Sequence, residues 1–314
     1  MRDFITVTYH YVRDLEASKY PRIKGLDLSK FANQLDYFEK NYKFVSIEDV
    51  INYIYHKKKP PSNAILLTFD DGYIDHYRDV FPLLKKKKIP GSFFPAAKPI
   101  MDNVVLDVNK IHFILASSNT KEIKNYVFNF LDKHRSNHDL KSNKYYYDNF
   151  SPNARAGTAE EFDNKDIIFI KRMLQFEIPD PLREEAIDNL FKKYVTHDEA
   201  SFSNELYMNK SHLKEMIESG MYIGNHGYSH KWMDSISEQD QIEEIEKSLM
   251  LLDQIGSDVD QWVMCYPYGR YNKSLINVIK SRRCKLGLTI NSGVSVIDKK
   301  NAFTLNRIDT NHFT

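Results

Sequence analysis

Short apolar runs alternate along this chain with longer stretches of helical periodicity. The run at residues 64–69 has the length and the bounds of a buried strand. Further strands are predicted at residues 5–12, 43–45, 92–94, 221–224, 261–266, 285–290 and 303–308. Apolar residues recur at helical spacing between them, as at Phe31, Leu35 and Phe38. This alternation predicts an α/β fold with a parallel barrel, in which functional side chains lie at the C-terminal ends of the strands.

The strand pattern stops between residues 101 and 205. Apolar residues there, such as Ile111, Leu115 and Ile187, fall in several helical stretches, and the polar run at 151–157 is typical of a loop. We interpret 101–205 as a helical insertion within a single domain that covers residues 1–314. We expect the insertion to lie beside the strand C-terminal ends, where it would limit access of long polymers. The alternative is that the insertion only packs on the barrel and has no role at the site.

Two adjacent carboxylates, Asp70 and Asp71, follow the strand at 64–69, and Gly72 permits a sharp turn after them. Neighbouring side chains along a strand point apart, but at a strand end both can reach one cleft. One carboxylate there suits metal binding, and the other suits removal of a proton from water. An Asp-Asp-Gly turn that only caps the next helix is the alternative.

Two histidines, His226 and His230, follow the strand at 221–224. In a helical turn, a spacing of four residues places both imidazoles on one face, which suits two ligands of one metal ion. With Asp71 they would form a two-histidine, one-carboxylate set that leaves positions open for water and substrate. The sequence therefore predicts a metal site at the strand ends.

Composition narrows the possible partners. The chain has 314 residues and a net charge of +1, so it is long enough for a large core and offers no electrostatic basis for nucleic-acid binding. Its two cysteines, Cys265 and Cys284, suit a reducing compartment rather than a disulfide framework. We see neither a signal-peptide pattern nor a run long enough to span a membrane, and we expect a cytoplasmic location.

Three motifs in chain order resemble those of the NodB-homology polysaccharide deacetylases, carbohydrate esterase family 4. They are Thr-Phe-Asp-Asp-Gly at 68–72, His-x-x-x-His at 226–230 and Pro-Tyr-Gly at 267–269. The resemblance covers most of the chain outside 101–205. It implies an irregular (β/α) barrel of about seven to eight parallel strands, smaller than a regular (β/α)8 barrel. It also implies metal-dependent removal of an N-acetyl group from an amino sugar of a polysaccharide or its cytoplasmic precursor.

The resemblance assigns roles to residues. Asp71, His226 and His230 would bind one divalent ion, which we expect to be zinc, with manganese, cobalt and nickel as alternatives. Such an ion polarises an amide carbonyl and acidifies water. Asp70 would be the base, and the backbone N–H of Tyr268 would stabilise the oxyanion.

The general acid is assigned through a circularly permuted subset of this family. In that subset a catalytic histidine lies near the N-terminus in a Tyr-His context, which His10 resembles. The Leu-x-His motif of unpermuted members is absent, because residues 288–290 are Leu-Thr-Ile. Asp309 and His312 near the end of the chain are given no role, although His312 would be the next candidate acid.

One element of the family pattern is missing before Pro-Tyr-Gly. Many members carry an arginine there that orients the catalytic base, whereas this chain has Cys265 and Tyr266. Arg307 is the candidate for supplying that charge, with a surface salt bridge as the alternative.

Two other kinds of function remain open at this point, one catalytic and one not. The same site would serve a deformylase or an O-ester hydrolase acting on a sugar. A glycan-binding pseudoenzyme that retains the barrel is a non-catalytic alternative, which the complete set of motif residues disfavours. A metal-content assay separates it from an enzyme, because a decayed site should not hold metal.

Overall fold

A computed structural model describes residues 4–56, 58–151 and 163–313. These residues form two compact units. The first contains the chain up to Leu15, Gly25–Val104 and the chain from Ser203 onward, and the second contains Glu16–Lys24 and Val105–Phe202. The loop predicted at 151–157 lies, after Ser151, outside the described residues.

Short strands form the framework of the first unit. They are β1 (Phe4–Tyr9), β2 (Val12–Arg13), β3 (Leu26–Asp27), β4 (Lys43–Phe44), β5 (Ala64–Asp70), β6 (Ser92–Phe94), β7 (Tyr222–Ile223), β8 (Val263–Cys265), β9 (Leu286–Leu288) and β10 (Ile308–Asp309). Every pairing between these strands is parallel. All residues of β1 and β5 are buried, as expected for parallel strands covered on both faces.

Seven of the strands form a closed ring in chain order. The hydrogen-bonded order is β10-β1-β5-β6-β7, and β8 pairs with β9. Asn225, after β7, bridges to Met264 of β8, and Leu288 of β9 bridges to Leu305 just before β10. The prediction of a parallel α/β barrel with about seven to eight strands is therefore confirmed within the described part of the chain.

Helices flank the strands and fill the segment between β6 and β7. In chain order they are α1 (Leu28–Asn41), α2 (Ile47–Tyr55), α3 (Phe81–Lys87), α4 (Ala97–Asp102), α5 (Asp107–Ser117), α6 (Thr120–His134), α7 (Asn143–Phe150), α8 (Lys165–Arg172), α9 (Leu182–Tyr194), α10 (Glu199–Leu206), α11 (Lys210–Glu218), α12 (Glu238–Ile255) and α13 (Lys273–Ser281). Short π-helical turns cover His76–Val80 and Met173–Glu177, and 3₁₀ turns cover Pro267–Gly269 and Thr310–Phe313. None of the described helices has the length and apolarity needed to cross a membrane.

Local sequence signals set several helix starts. The Ser46 hydroxyl accepts the Asp49 N–H, and the Asp49 carboxylate accepts the Ser46 N–H, which together form a capping box at the start of α2. The Asp27 carboxylate accepts the Ser29 N–H at the start of α1. Pro82 stands at the start of α3, where its missing N–H breaks no helical hydrogen bond.

The alternation of β5 separates two apolar clusters and explains where the polar site lies. Ile65, Leu67 and Phe69 belong to the cluster that includes the apolar faces of α1 and α3. Ala64 and Leu66 belong to a second cluster with residues of β8 and β9. Because side chains alternate with a period of two, Asp70 follows Leu66 and Thr68 on the face of the second cluster. The apolar packing therefore gives way to polar groups at the C-terminal end of this strand.

Two predicted strand bounds were wrong. The strand predicted at 5–12 breaks at His10, whose carbonyl accepts a hydrogen bond from Nε2 of His76 at 2.7 Å instead of a sheet partner. The strand predicted at 303–308 reduces to a bridge at Leu305 followed by β10, because Thr304 lies in a turn closed by its N–H and the Asn301 carbonyl.

The second unit is helical in its described residues. Phe113 of α5 makes edge contacts with Tyr20 and Phe202, and buried Asp163 pairs with Lys24 and with Lys171. The assignment of 101–205 as an insertion within a single domain, and its position beside the strand ends, stay predictions.

Candidate active site

The turn after β5 brings both predicted aspartates to the same place. Asp70 ends the strand, and Asp71 adopts a left-handed conformation with φ of 69° that breaks the alternation of side-chain directions. Gly72 follows with φ of 76°, and a Cβ atom there would lie 2.6 Å from Cβ of Pro95. This position therefore requires glycine. Asp70 and Asp71 are only 1% and 4% exposed.

The two histidines lie in a loop between β7 and α12, so the prediction of a helical turn was wrong. Gly227 and His230 have φ of 73° and 58°, values that interrupt a helix. Glu244 of α12 holds the loop by accepting the N–H groups of Tyr228 at 3.1 Å and Ser229 at 2.8 Å. The imidazoles of His226 and His230 still converge, with ring centroids 4.8 Å apart.

Asp71, His226 and His230 present ligand atoms to one point. Nε2 of each histidine lies 3.4 Å from Oδ1 of Asp71. Oδ1 is buried and has no hydrogen-bond partner in the described residues, whereas Oδ2 accepts the Tyr73 hydroxyl at 2.6 Å. An unpartnered buried carboxylate oxygen facing two imidazoles fits a divalent cation, which would supply the missing charge.

The protonation states of Asp71 and His230 also suit a bound cation, because both groups are deprotonated near pH 7. Burial opposes the charge of Asp71, but the neighbouring His226 and His230 outweigh it and hold the pKa of the carboxyl below its usual range. Burial lowers the pKa of His230 to about 4, so its ring is neutral near pH 7. The Nδ1–H of His226 donates to the Cys265 carbonyl at 2.7 Å, which directs Nε2 toward Asp71. Burial opposes a charge on His226, but Cys265 and Asp71 outweigh it and raise the pKa of the imidazole well above its usual range, so a bound cation would take the place of the Nε2 proton.

Asp70 forms a buried two-point ion pair with Arg307. Nη1 of Arg307 donates to Oδ1 and Nη2 lies beside Oδ2, each at 2.8 Å, and Nε donates to the Thr289 carbonyl at 2.8 Å. The alternative of a surface salt bridge is wrong, because Arg307 is 2% exposed. Burial alone would raise the pKa of Asp70, but the charge of Arg307 dominates and keeps the carboxyl ionised.

Cys265 occupies a place at the site that the sequence did not predict. Its thiol lies 3.4 Å from both carboxylate oxygens of Asp70, and burial raises the pKa of that thiol. Thr8 contacts Asp70 Oδ2 at 3.5 Å from the neighbouring strand. Strand alternation alone indicates that Cys265 shares an inward face with Val263, but only the fold places it against Asp70.

His10 lies beside this carboxylate and remains accessible. Its Nε2 is 3.9 Å from Oδ2 of Asp70, and its side chain is 47% exposed. Buried His76 holds the His10 backbone through the 2.7 Å hydrogen bond to its carbonyl. The structure therefore brings His10 to the predicted cleft. By contrast, His312 is exposed and contacts the Asp309 carbonyl rather than any residue of the cluster.

Tyr268 completes the group around the histidines. Its ring centroid lies 4.6 Å from that of His230, and its φ of 54° departs from the usual range of a non-glycine residue. Asp71 and His230 share this feature, so three residues of one site hold left-handed conformations. Such conformations persist where the surrounding structure enforces them, which is frequent at functional sites.

Removal of Arg307 should destabilise the fold. Arg307→Met leaves the buried Asp70 carboxylate unpaired, and we expect the free energy of unfolding to fall by about 3–5 kcal/mol. The exposed pair of Arg283 and Asp260 is the control, where Arg283→Met should cost about 0–1 kcal/mol. Denaturant unfolding measures both. Equal losses in the two variants would contradict a buried, structurally required pair.

The fold and the site together define an α/β-barrel protein with a two-histidine, one-aspartate centre at its strand ends. The sequence matches the profile of the polysaccharide deacetylase family at residues 57–137 and 179–287, more than half of the chain. The chain belongs to the polysaccharide deacetylase family. The predicted family is thereby confirmed, and the circular permutation stays a prediction.

Two curated relatives match this chain over a region shorter than the family profile. Over 93 residues, 29% of this chain, it is 28% identical to the putative polysaccharide deacetylase YxkH of Bacillus subtilis (strain 168), and the match covers 31% of that protein. Also over 93 residues, it is 32% identical to the poly-β-1,6-N-acetyl-D-glucosamine N-deacetylase of Escherichia coli (strain K12), of which the match covers 14%. The match thus spans less than a third of either relative.

A solved structure extends the comparison to the whole fold. The Streptococcus pyogenes deacetylase PplD, solved in complex with acetate, has a TM-score of 0.58 and 17% sequence identity. The similarity covers 98% of this chain and 92% of that one. The two proteins therefore share a fold.

Proposed function

We propose that this protein is a metal-dependent N-deacetylase acting on an amino sugar of a polysaccharide or of its precursor. One observation supports this most. The unpartnered Oδ1 of Asp71 faces His226 and His230, while the adjacent Asp70 is held ionised by Arg307. Asp71 is thus available to bind a cation, and Asp70 is available to accept a proton.

The cation site and the base have separate tasks. A divalent ion held by Asp71, His226 and His230 would polarise the acetyl carbonyl and acidify a water molecule. Zinc fits two imidazoles and one carboxylate, and so do manganese, cobalt and nickel. Asp70 removes a proton from the attacking water as its oxygen bonds to the acetyl carbon.

The remaining steps use Tyr268 and His10. The carbonyl oxygen gains negative charge during attack, and the backbone N–H of Tyr268 donates to it. Nε2 of His10 then gives a proton to the amide nitrogen as the C–N bond breaks. The products are acetate and a free amine. The position of His10 beside Asp70, with half of its side chain exposed, supports this division of roles.

Substitution of His10 should slow hydrolysis of substrates whose leaving group must be protonated, and it should spare substrates whose leaving group departs as an anion. We expect His10→Ala to reduce turnover of an N-acetyl amide by roughly 10²–10⁴-fold. Hydrolysis of 4-nitrophenyl acetate should change little, because that leaving group departs as an anion. His312→Ala is the matched control and should resemble the wild type with both substrates. Equal losses on the amide and the ester would exclude His10 as the acid.

A panel of acylated sugars tests the proposed reaction. It contains β-1,6-linked N-acetylglucosamine oligomers, which the name of the E. coli relative suggests, and nucleotide-linked and lipid-linked N-acetylated precursors, which the expected cytoplasmic location favours. N-formyl and O-acetyl analogues test the other acyl groups. We expect acetate release from an N-acetylated member, loss of that release with a chelator, and its return when metal is added. Release only from the formyl or O-acetyl analogues would replace the proposed reaction.

A further inference from the structure

Two loops that carry site residues also carry a row of aromatic rings, of which only the His230 imidazole has a role in the proposed chemistry. The loops are residues 226–237 and 267–272. From the His230 imidazole the row continues to the Tyr268 ring at 4.6 Å and to the Trp232 indole at 5.4 Å, measured between centroids. The guanidinium of Arg270 lies 5.1 Å from the centre of the indole. The row thus begins at a predicted metal ligand and ends at an exposed cation.

Arg270 also ties the two loops together. Its Nε lies 3.1 Å from Oδ1 of Asp234, and its Nη2 lies 2.9 Å from Oδ2. This two-point pair joins the loop of Pro-Tyr-Gly to the loop of the metal-ligand histidines. With the guanidinium against the indole, it restricts the position of Trp232. The contacts of Arg270 therefore favour one orientation of the indole ring.

Trp232 differs from the other tryptophan of the chain in its surroundings. Trp262 is fully buried in the core, and its Nε1 donates to the Arg282 carbonyl at 2.6 Å. Trp232 is only half-buried, with the ring of Tyr268 and the exposed Arg270 beside it. A large, rigid aromatic surface with partial exposure suits contact with a ligand that is apolar on one face and polar at its edge.

We propose that Trp232, held by Arg270, is a binding subsite for the sugar ring next to the one that is deacetylated. The C–H bonds on one face of a pyranose pack on an aromatic face, while its hydroxyl groups stay at the edge and reach polar groups. Because the row starts at His230, a sugar on Trp232 lies outward from the reacting group along the same chain. The inference rests on the proposed function and makes the enzyme selective for oligosaccharides over single sugars.

Chain-length kinetics test the subsite. Trp232→Ala should lower kcat/KM for an N-acetylglucosamine tetramer by about tenfold or more, as truncation of an aromatic anchor commonly does. Values for N-acetylglucosamine itself and for 4-nitrophenyl acetate should stay near those of the wild type, and Trp232→Phe should retain much of the tetramer rate. A similar loss on short and long substrates, or no loss on the tetramer, would overturn the proposal and assign Trp232 a structural role.

Fluorescence gives a readout independent of turnover. The chain has two tryptophans, so a change in emission when the Asp70→Asn protein is titrated with the tetramer arises from Trp232 or Trp262. We expect the change to disappear in Asp70→Asn/Trp232→Phe and to persist in Asp70→Asn/Trp262→Phe. Persistence in the first variant would contradict the subsite. If the wild type releases no acetate from any sugar, the proposed function fails, and the titration alone decides whether Trp232 binds a sugar.

Discussion

Asp70→Asn should retain bound metal and lose roughly 10²–10⁴-fold in turnover, the usual contribution of a general base. The amide keeps the shape of the carboxylate but cannot accept the proton of the attacking water. The three predicted ligands are unchanged, so the ion stays. Metal content by mass spectrometry and acetate release, measured on the same sample, test both statements.

A matched control addresses the loss of a buried charge. Asp163 is also buried and paired with a cation, Lys171 at 2.6 Å, but it belongs to the second unit. Asp163→Asn should lower the stability without a comparable loss of turnover. If Asp70→Asn loses the ion instead, Asp70 is a ligand and its role is exchanged with that of Asp71.

His230→Ala should abolish activity together with metal binding. Its Nε2 is one of three ligand atoms around Oδ1 of Asp71, and alanine leaves two. Loss of an outer partner of a metal ligand already weakens affinity by roughly 10–100-fold, so loss of a ligand should cost at least about as much. Dialysis against a competing chelator, followed by metal analysis, measures this. Full metal occupancy in His230→Ala would refute the assignment.

The exposed His197 in the second unit supplies the control for that substitution. His197→Ala should bind as much metal as the wild type and release acetate at the same rate. A parallel loss of metal in both variants would show that the ion measured is bound nonspecifically by histidine side chains.

Strand-end residues were predictable because apolar runs and alternation are local properties of the sequence. The run ending at Asp70 is a buried strand, and the turn through Asp71 and Gly72 places both carboxylates in one cleft. The bounds of β1 and β10 were less accurate, because β1 ends where the His10 carbonyl bonds to His76 and β10 has only two residues.

Long-range contacts decide the parts that the sequence did not determine. The conformation of the loop from His226 to His230 depends on Glu244 of α12. The Glu244 carboxylate accepts hydrogen bonds from two backbone N–H groups of the loop. A spacing of four residues suggested a helix, and the loop achieves the same convergence without one. Likewise, only the family resemblance pointed to Arg307 as the partner of Asp70, and nothing near Arg307 in the chain indicates this pair across 237 positions. That pairing requires β10 to lie beside β1 and β1 beside β5.

The most direct test of the proposed N-deacetylase activity is a paired measurement on one oligosaccharide. The wild type is stripped of metal, reloaded with zinc and incubated with an N-acetylglucosamine tetramer, and acetate and new free amine are quantified together. We expect equal amounts of both from the reloaded protein and neither from the stripped protein. Absence of both products from the reloaded protein, or acetate released without a matching amine, would contradict an N-deacetylase.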